Sequence, residues 1–124
     1  VKLHVEGTDI EHRITGYGPG WVEVNRVRHE APIALIPGIT ISPWPVTQFE
    51  NLSAEHFDGL IGYAPDVVLL GTGAKLRFPH PRLVAGLAAI RVGVEAMDTA
   101  AACRTYNVLA GEGRKVIAIL LLDT

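Results

Sequence analysis

The chain has 124 residues and a formal net charge of −2, with 48% apolar and 19% charged residues. That is the composition of one globular domain, here 1–124, large enough to bury a core, and it excludes a disordered chain. It offers no broad basic field for nucleic acid, and the lone Cys103 excludes a disulfide scaffold and fits a reducing, cytoplasmic setting.

Residues 9–17 predict a strand, with Ile10, His12 and Ile14 two apart. Gly16 to Gly20 read as a turn, with Pro19 fixing φ. Residues 21–27 alternate again, with Val22 and Val24 on one face, so the two runs predict an antiparallel pair. Ile33 to Ile36 read as a buried strand, and a second short run follows at 39–41. Ser42-Pro43-Trp44-Pro45 reads as an ordered loop outside any sheet, anchored by Trp44. Ser53 caps a short helix, with His56 standing where a capping box usually has a carboxylate, and the helix is expected to end near Gly62.

Val67 to Leu70 are uninterruptedly apolar, as in a parallel strand covered on both faces. Gly71-Thr72-Gly73 read as a loop directly after it. Pro81 opens a helix over 81–90 with Leu83, Leu87 and Ile90 as its apolar stripe. Gly93 to Met97 form a strand. Asp98 or Thr99 caps a helix to about Ala110, packed through Ala101, Ala102, Val108 and Leu109 and ended by Gly111 and Gly113. Residues 116–122 are the last buried strand. Strand, helix, strand, helix, strand is most simply a parallel sheet with helical crossovers.

Chemistry-bearing residues are few. Gly71-Thr72-Gly73 follows a buried strand, where open α/β sheets tend to bind ligands, but it lacks the remaining residues of a dinucleotide or triphosphate loop. A tight turn explains it about as well. Lys75 and Arg77 add a small positive patch, or else a solvated edge. Asp98-Thr99 can cap its own helix or face the glycine loop across a cleft. The expected ligand, if any, is an anion held by Thr72, Gly73, Arg77 and Thr99, with Gly71, Asp98, Tyr106 and Asn107 lining the cleft. Asp98 opposes this, because its carboxylate can occupy the same amides. Cys103 has no general base near it in sequence and reads as a small buried side chain. No catalytic residue is assigned. The five histidines share no metal-ligand spacing, and Asp66 and Asp98 would form an acid–base pair only by converging in space, so no metal or cofactor is expected.

Gly71-Thr72-Gly73 with Arg77 and Pro79, then 93–99, 102–109 and 112–114, resemble the Mth938-like family, long labelled a domain of unknown function. The likeness spans roughly the whole chain and is densest from Pro65 to Leu122. Its characteristic positions match at Asp66, Gly71, Gly73, Met97, Thr99, Ala102, Tyr106, Asn107 and Leu109. The resemblance implies a three-layer α/β fold, with a mixed central sheet, parallel βαβ units in the C-terminal half and an additional antiparallel layer. It implies no reaction and no cofactor. Mitochondrial relatives are complex I assembly factors, and a vertebrate cytosolic branch is linked to adipocyte differentiation. The chain opens at Val1 rather than Met, which leaves room for a removed targeting segment. The modest charge, without a transit peptide, fits a bacterial, cytoplasmic member. The expected function is a non-catalytic interaction or assembly factor with an unknown protein partner. The alternative is an anionic-metabolite binder or enzyme using the cleft near Gly71 and Asp98. A weak homodimer is a side expectation; nucleic-acid binding and direct membrane insertion are not expected, since no apolar run reaches roughly 18 residues.

Overall fold

A computed structural model describes residues 11–122. Its elements run β1 (Ile14–Gly18), β2 (Trp21–Val24), β3 (Val27–His29), β4 (Ile33–Leu35), β5 (Ser42–Pro43), α1 (Ala54–Asp58), β6 (Val67–Thr72), α2 (Ala85–Ala89), β7 (Gly93–Met97), α3 (Thr99–Gly111) and β8 (Val116–Leu121). Short 3-10 turns precede α1, follow it and lead into α2.

Five strands form a mixed sheet in the order β5-β4-β8-β6-β7, and β1, β2 and β3 form a separate antiparallel meander. β6 runs parallel to β7 and to β8, pairing Gly71 with Met97 on one side and with Leu120 on the other. β4 is antiparallel to β8. The apolar runs at 67–70 and 116–121 are therefore inner strands buried on both faces, as their sequences require. β7 is an edge strand and only partly buried.

Alternate residues of the inner strands feed two cores. Val68, Leu70, Ile117, Ile119 and Leu121 meet Trp44, Phe57, Leu60 and Leu87 from the layer of α1 and α2. Val67, Leu69, Val116, Ala118 and Leu120 meet Ala102, Cys103 and Tyr106 of α3 and Ile14, Val22 and Val24 of the meander. This is the three-layer arrangement: short helices, mixed sheet, then α3 with the antiparallel meander.

Several boundaries depart from the sequence reading. The first strand begins at Ile14, with His12 before it in a bend, and Ile10 lies outside the described residues. Residues 21–27 are not one strand. Asn25 and Arg26 take φ of 51° and 69° and turn the chain between β2 and β3. Asn25 tolerates this conformation, and its side chain accepts from the Arg13 amide and donates to the Glu11 carbonyl. Residues 39–41 form no strand. Ser42 and Pro43 do, at the sheet edge against β4, where a missing N–H leaves no ladder partner wanting. Trp44 is buried, as its anchoring role requires. α1 keeps the Ser53 and His56 box, with the Ser53 amide donating to His56 Nδ1 at 2.9 Å, but it ends at Asp58. The 81–90 helix is a 3-10 turn over Pro81–Val84 followed by α2, and Ile90 is exposed instead of joining the stripe. Val108 likewise points to solvent from α3. Gly71 and Thr72 belong to β6 rather than to a loop.

Candidate functional site

The C-terminal ends of β6, β7 and β8 meet the first turn of α3, and the β1–β2 turn lies over them. Between them is a cleft of about 370 Å³. It is lined by Tyr17, Gly18, Pro19 and Gly20, by Gly73 and, at its exposed lip, Ala74, by Asp98, Thr99 and Ala100, and by Leu121 and Leu122. Its lining is chiefly apolar, with Asp98 as its charged member.

The junction of β6 with α3 is unusually close. A Cβ on Gly71 would sit 2.9 Å from Thr99 Oγ1 and 3.1 Å from Thr99 Cα, so only glycine lets the helix approach the strand this far. Thr99 then ties three elements together. Its hydroxyl donates to the Leu121 carbonyl at 2.6 Å and accepts from the Gly73 amide at 2.8 Å, while its own amide donates to the Gly73 carbonyl at 2.9 Å. Asp98 caps the helix, its Oδ1 accepting from the Ala101 amide at 2.8 Å. The amides of Gly73, Thr99 and Ala101 are thus bonded within the chain.

Thr72 faces the other side of β6 and is fully buried. Its hydroxyl donates to the Lys75 carbonyl, lies 3.2 Å from the Met97 carbonyl and accepts from the Arg77 amide at 3.2 Å. Arg77 extends away from the cleft. Its guanidinium lies over the Phe49 ring, 5.7 Å from the centroid, and bonds Glu50 at 3.3 Å. Gly73, Asp98 and Thr99 therefore come together on the cleft, Gly71 packs behind Thr99, and Thr72 and Arg77 hold the loop that leaves β6.

Tyr106 and Asn107 sit two turns further along α3. Tyr106 is core, and burial, with the Glu11 carboxylate adding to it, raises its hydroxyl to about 12. Asn107 clamps the meander, accepting from the Ile14 amide at 3.0 Å and donating to the Ile14 carbonyl at 2.8 Å. Burial pushes the Cys103 thiol up to about 12, so it is a neutral core group at neutral pH. Arg104 donates to the Tyr17 hydroxyl at 3.0 Å, and that bond, aided by Asp98, raises the guanidinium above its ordinary value.

Asp66 lies at the opposite end of β6, where its carboxylate accepts from the Lys115 amide, roughly 17–20 Å of strand from Asp98. Among the described residues no three His, Cys, Asp or Glu gather to hold a metal, and no helix is long and apolar enough to cross a membrane. Sequence reasoning missed Tyr17, Gly18, Pro19, Gly20, Ala74, Ala100, Leu121 and Leu122 as cleft residues. The glycine-rich run at 16–20 was visible, although Gly16 to Gly18 belong to β1 and only Pro19 and Gly20 turn the chain, but its contact partner more than fifty residues away was not.

A mixed five-stranded sheet between a layer of short helices and a layer combining one long helix with an antiparallel meander defines a small three-layer α/β class. A family model described as a protein of unknown function (DUF498/DUF598) matches residues 14–121, and the chain belongs to this family, in its Mth938-like branch. A crystal structure of a Bordetella parapertussis protein is 44% identical with a TM-score of 0.85, covering 90% of this chain and 96% of that one. The solution structure of a Bordetella pertussis protein described as a Mth938-like domain is 34% identical with a TM-score of 0.76, covering 100% and 95%. An uncharacterised Rhodobacter capsulatus protein is 40% identical over 108 residues, covering 87% of this chain and 82% of that one. Rat NADH dehydrogenase (ubiquinone) 1 alpha subcomplex assembly factor 3 is 31% identical over 110 residues, which are 87% of this chain and 59% of that protein. The chain thus spans about three fifths of the assembly factor's length.

Proposed function

We propose that the chain is a non-catalytic interaction or assembly factor working in the bacterial cytoplasm. The observation that carries this reading is the match to an assembly factor along 87% of the chain. The groups that would serve catalysis are also committed to packing: the Thr99 hydroxyl, the Asp98 carboxylate and the Cys103 thiol all stabilise the β6–α3 layer. Meanwhile Leu76 and Phe78 stand in solvent on the loop that follows Ala74 of the cleft, as a docking surface requires. The test is affinity purification of the tagged chain at native expression from its source cell. One partner recovered reproducibly in near-stoichiometric amount is the expected result; no reproducible partner would count heavily against the reading.

A second reading keeps the cleft for a small anionic metabolite. Its support is the cleft itself, set against the first turn of a 13-residue helix whose dipole favours negative charge. Gly73 and Thr99 would be the nearest contacts. Thr72 and Arg77 would join them only if the loop after β6 re-formed around the ligand. A thermal-shift series with phosphate and short carboxylates on the parent and on Arg77→Ala separates the outcomes. Stabilisation of the parent supports this reading, its loss in the variant adds Arg77 to the contacts, and silence from both ends it.

A further inference from the structure

We infer that the chain self-associates about a two-fold axis, Phe78 of each copy entering the cleft between the β1–β2 turn and α3 of the other. This goes beyond the assembly-factor reading and stands or falls independently of any further partner.

The first observation is a rigid plug. Phe78 is 73% exposed and its neighbour Leu76 51% exposed, the most exposed pair of large apolar side chains on any one loop of the described residues. Their loop is firmly held. The Thr72 hydroxyl grips the backbone of both Lys75 and Arg77, the Arg77 side chain is fixed on Phe49 and Glu50, and Pro79 and Pro81 stiffen the chain beyond. An aromatic ring presented on a preorganised loop loses little freedom when a partner covers it.

The second observation is a socket. The cleft's 370 Å³ exceeds the roughly 150 Å³ that takes up a benzene ring in an apolar protein cavity. Pro19, Ala74, Ala100 and Leu122 offer an apolar lining, and the Tyr17 ring offers an aromatic wall.

Plug and socket lie on the same edge of the molecule. Ala74 is on the cleft's lip, and four residues of chain place Phe78 at most about 14 Å further on. The same grip that orders the loop carries Arg77 toward Phe49, on the α1 side of the sheet, whereas the cleft opens on the α3 side. Phe78 is not among the residues that line its own cleft. A two-fold axis beside the loop answers this, because an isologous contact sets each plug against the other copy's socket. Charge agrees: exposed Lys75 travels with the plug, and Asp98 is the charged residue of the socket.

Sedimentation equilibrium of the full chain tests the inference. A contact this small belongs to the weak end of protein association, so the series runs to roughly millimolar concentration. The parent is expected to move toward twice its monomer mass. Phe78→Asp, which breaks the plug, and Ala74→Trp, which blocks the socket's lip, are each expected to weaken association about tenfold or more while far-ultraviolet circular dichroism stays unchanged. Mixing the two variants retains one intact pair, Phe78 of the Ala74→Trp chain with the open cleft of the Phe78→Asp chain. The mixture is therefore expected to associate more tightly than either variant alone. A parent that stays monomeric throughout overturns the inference. So does a parent dimer that either variant leaves intact, and so does a mixture no tighter than its components. Partner recovery by affinity purification from cells with a monomeric parent would leave the assembly reading standing and remove this one.

Discussion

The two faces of the central sheet are covered by different physics. On one, α1 and α2 have five residues each and cannot hold themselves together. Bulk does it: Phe57, Leu60, Leu87 and Trp44 fill the space against the strands. On the other, α3 has 13 residues and approaches closely over Gly71, Ala102 and Cys103, with Asp98 capping its first turn and Thr99 and Asn107 making directional bonds to its neighbours. A cover made of short pieces depends on volume, and one made of a long helix depends on small residues and polar clamps. The polar residues that draw attention in the sequence mostly belong to the second kind of cover.

Four outcomes would sharpen or break this contrast. The largest effect is expected on the bulky face. Phe57→Ala empties a fully buried site and should cost about 3–5 kcal/mol, read from urea unfolding. A loss below about 1 kcal/mol would mean the short helices do not depend on that volume. Next comes the close contact. Gly71→Ala forces a methyl against Thr99 and Ala102 Cβ and should cost about 1–3 kcal/mol, whereas Gly113→Ala, with nothing within 4 Å but a φ of 83°, probes backbone strain alone. A Gly71→Ala loss below about 0.5 kcal/mol would show that Gly71 is not kept for proximity. Smaller again is the clamp. Asn107→Ala should cost about 1–2 kcal/mol and speed amide hydrogen exchange of residues 14–29 more than of β6 or β8. Uniform acceleration would deny the clamp a local role.

The smallest effect at neutral pH is zero and grows with alkali. Folding holds Cys103 and Tyr106 protonated up to about pH 12, whereas their ordinary values are 9.0 and 10.0. Between those limits the unfolded chain binds fewer protons than the folded one, so stability falls as pH rises from about 9 toward 12. Cys103→Ala together with Tyr106→Phe should flatten that slope. A slope unchanged in the double variant would place the alkaline sensitivity elsewhere.

The parallel half was legible because doubly buried strands leave an unbroken apolar run, and both inner strands have one. The α3 cap was legible because Asp98 stands where a helix needs an acceptor. What failed did so for local reasons. Asn25 is a recognisable turn residue, but Arg26 is not, and together they cut one alternating run into β2 and β3. Pro43 argued against a sheet because sequence does not tell an edge from a centre. Ile90 and Val108 fit helical spacing, but α2 is too short, and α3 wrongly rotated, to bury them. The glycine loop was seen and its reach was not. Gly71 and Thr72 extend β6, and the cleft beside them borrows a wall from Tyr17 to Gly20, a pairing that exists only once the layers have stacked.

The place of β8 bears on how the molecule comes into being. It follows every other element of the described fold, yet it lies in the middle of the sheet, flanked by β4 and β6. Without β8, the sheet is two pairs of strands, β4 with β5 and β6 with β7, that share no ladder with each other. Neither can lend its hydrogen bonds to the other until residues 116–121 emerge. Both seams, the free edges of β4 and of β6, therefore wait for the last strand of the described fold to pair them.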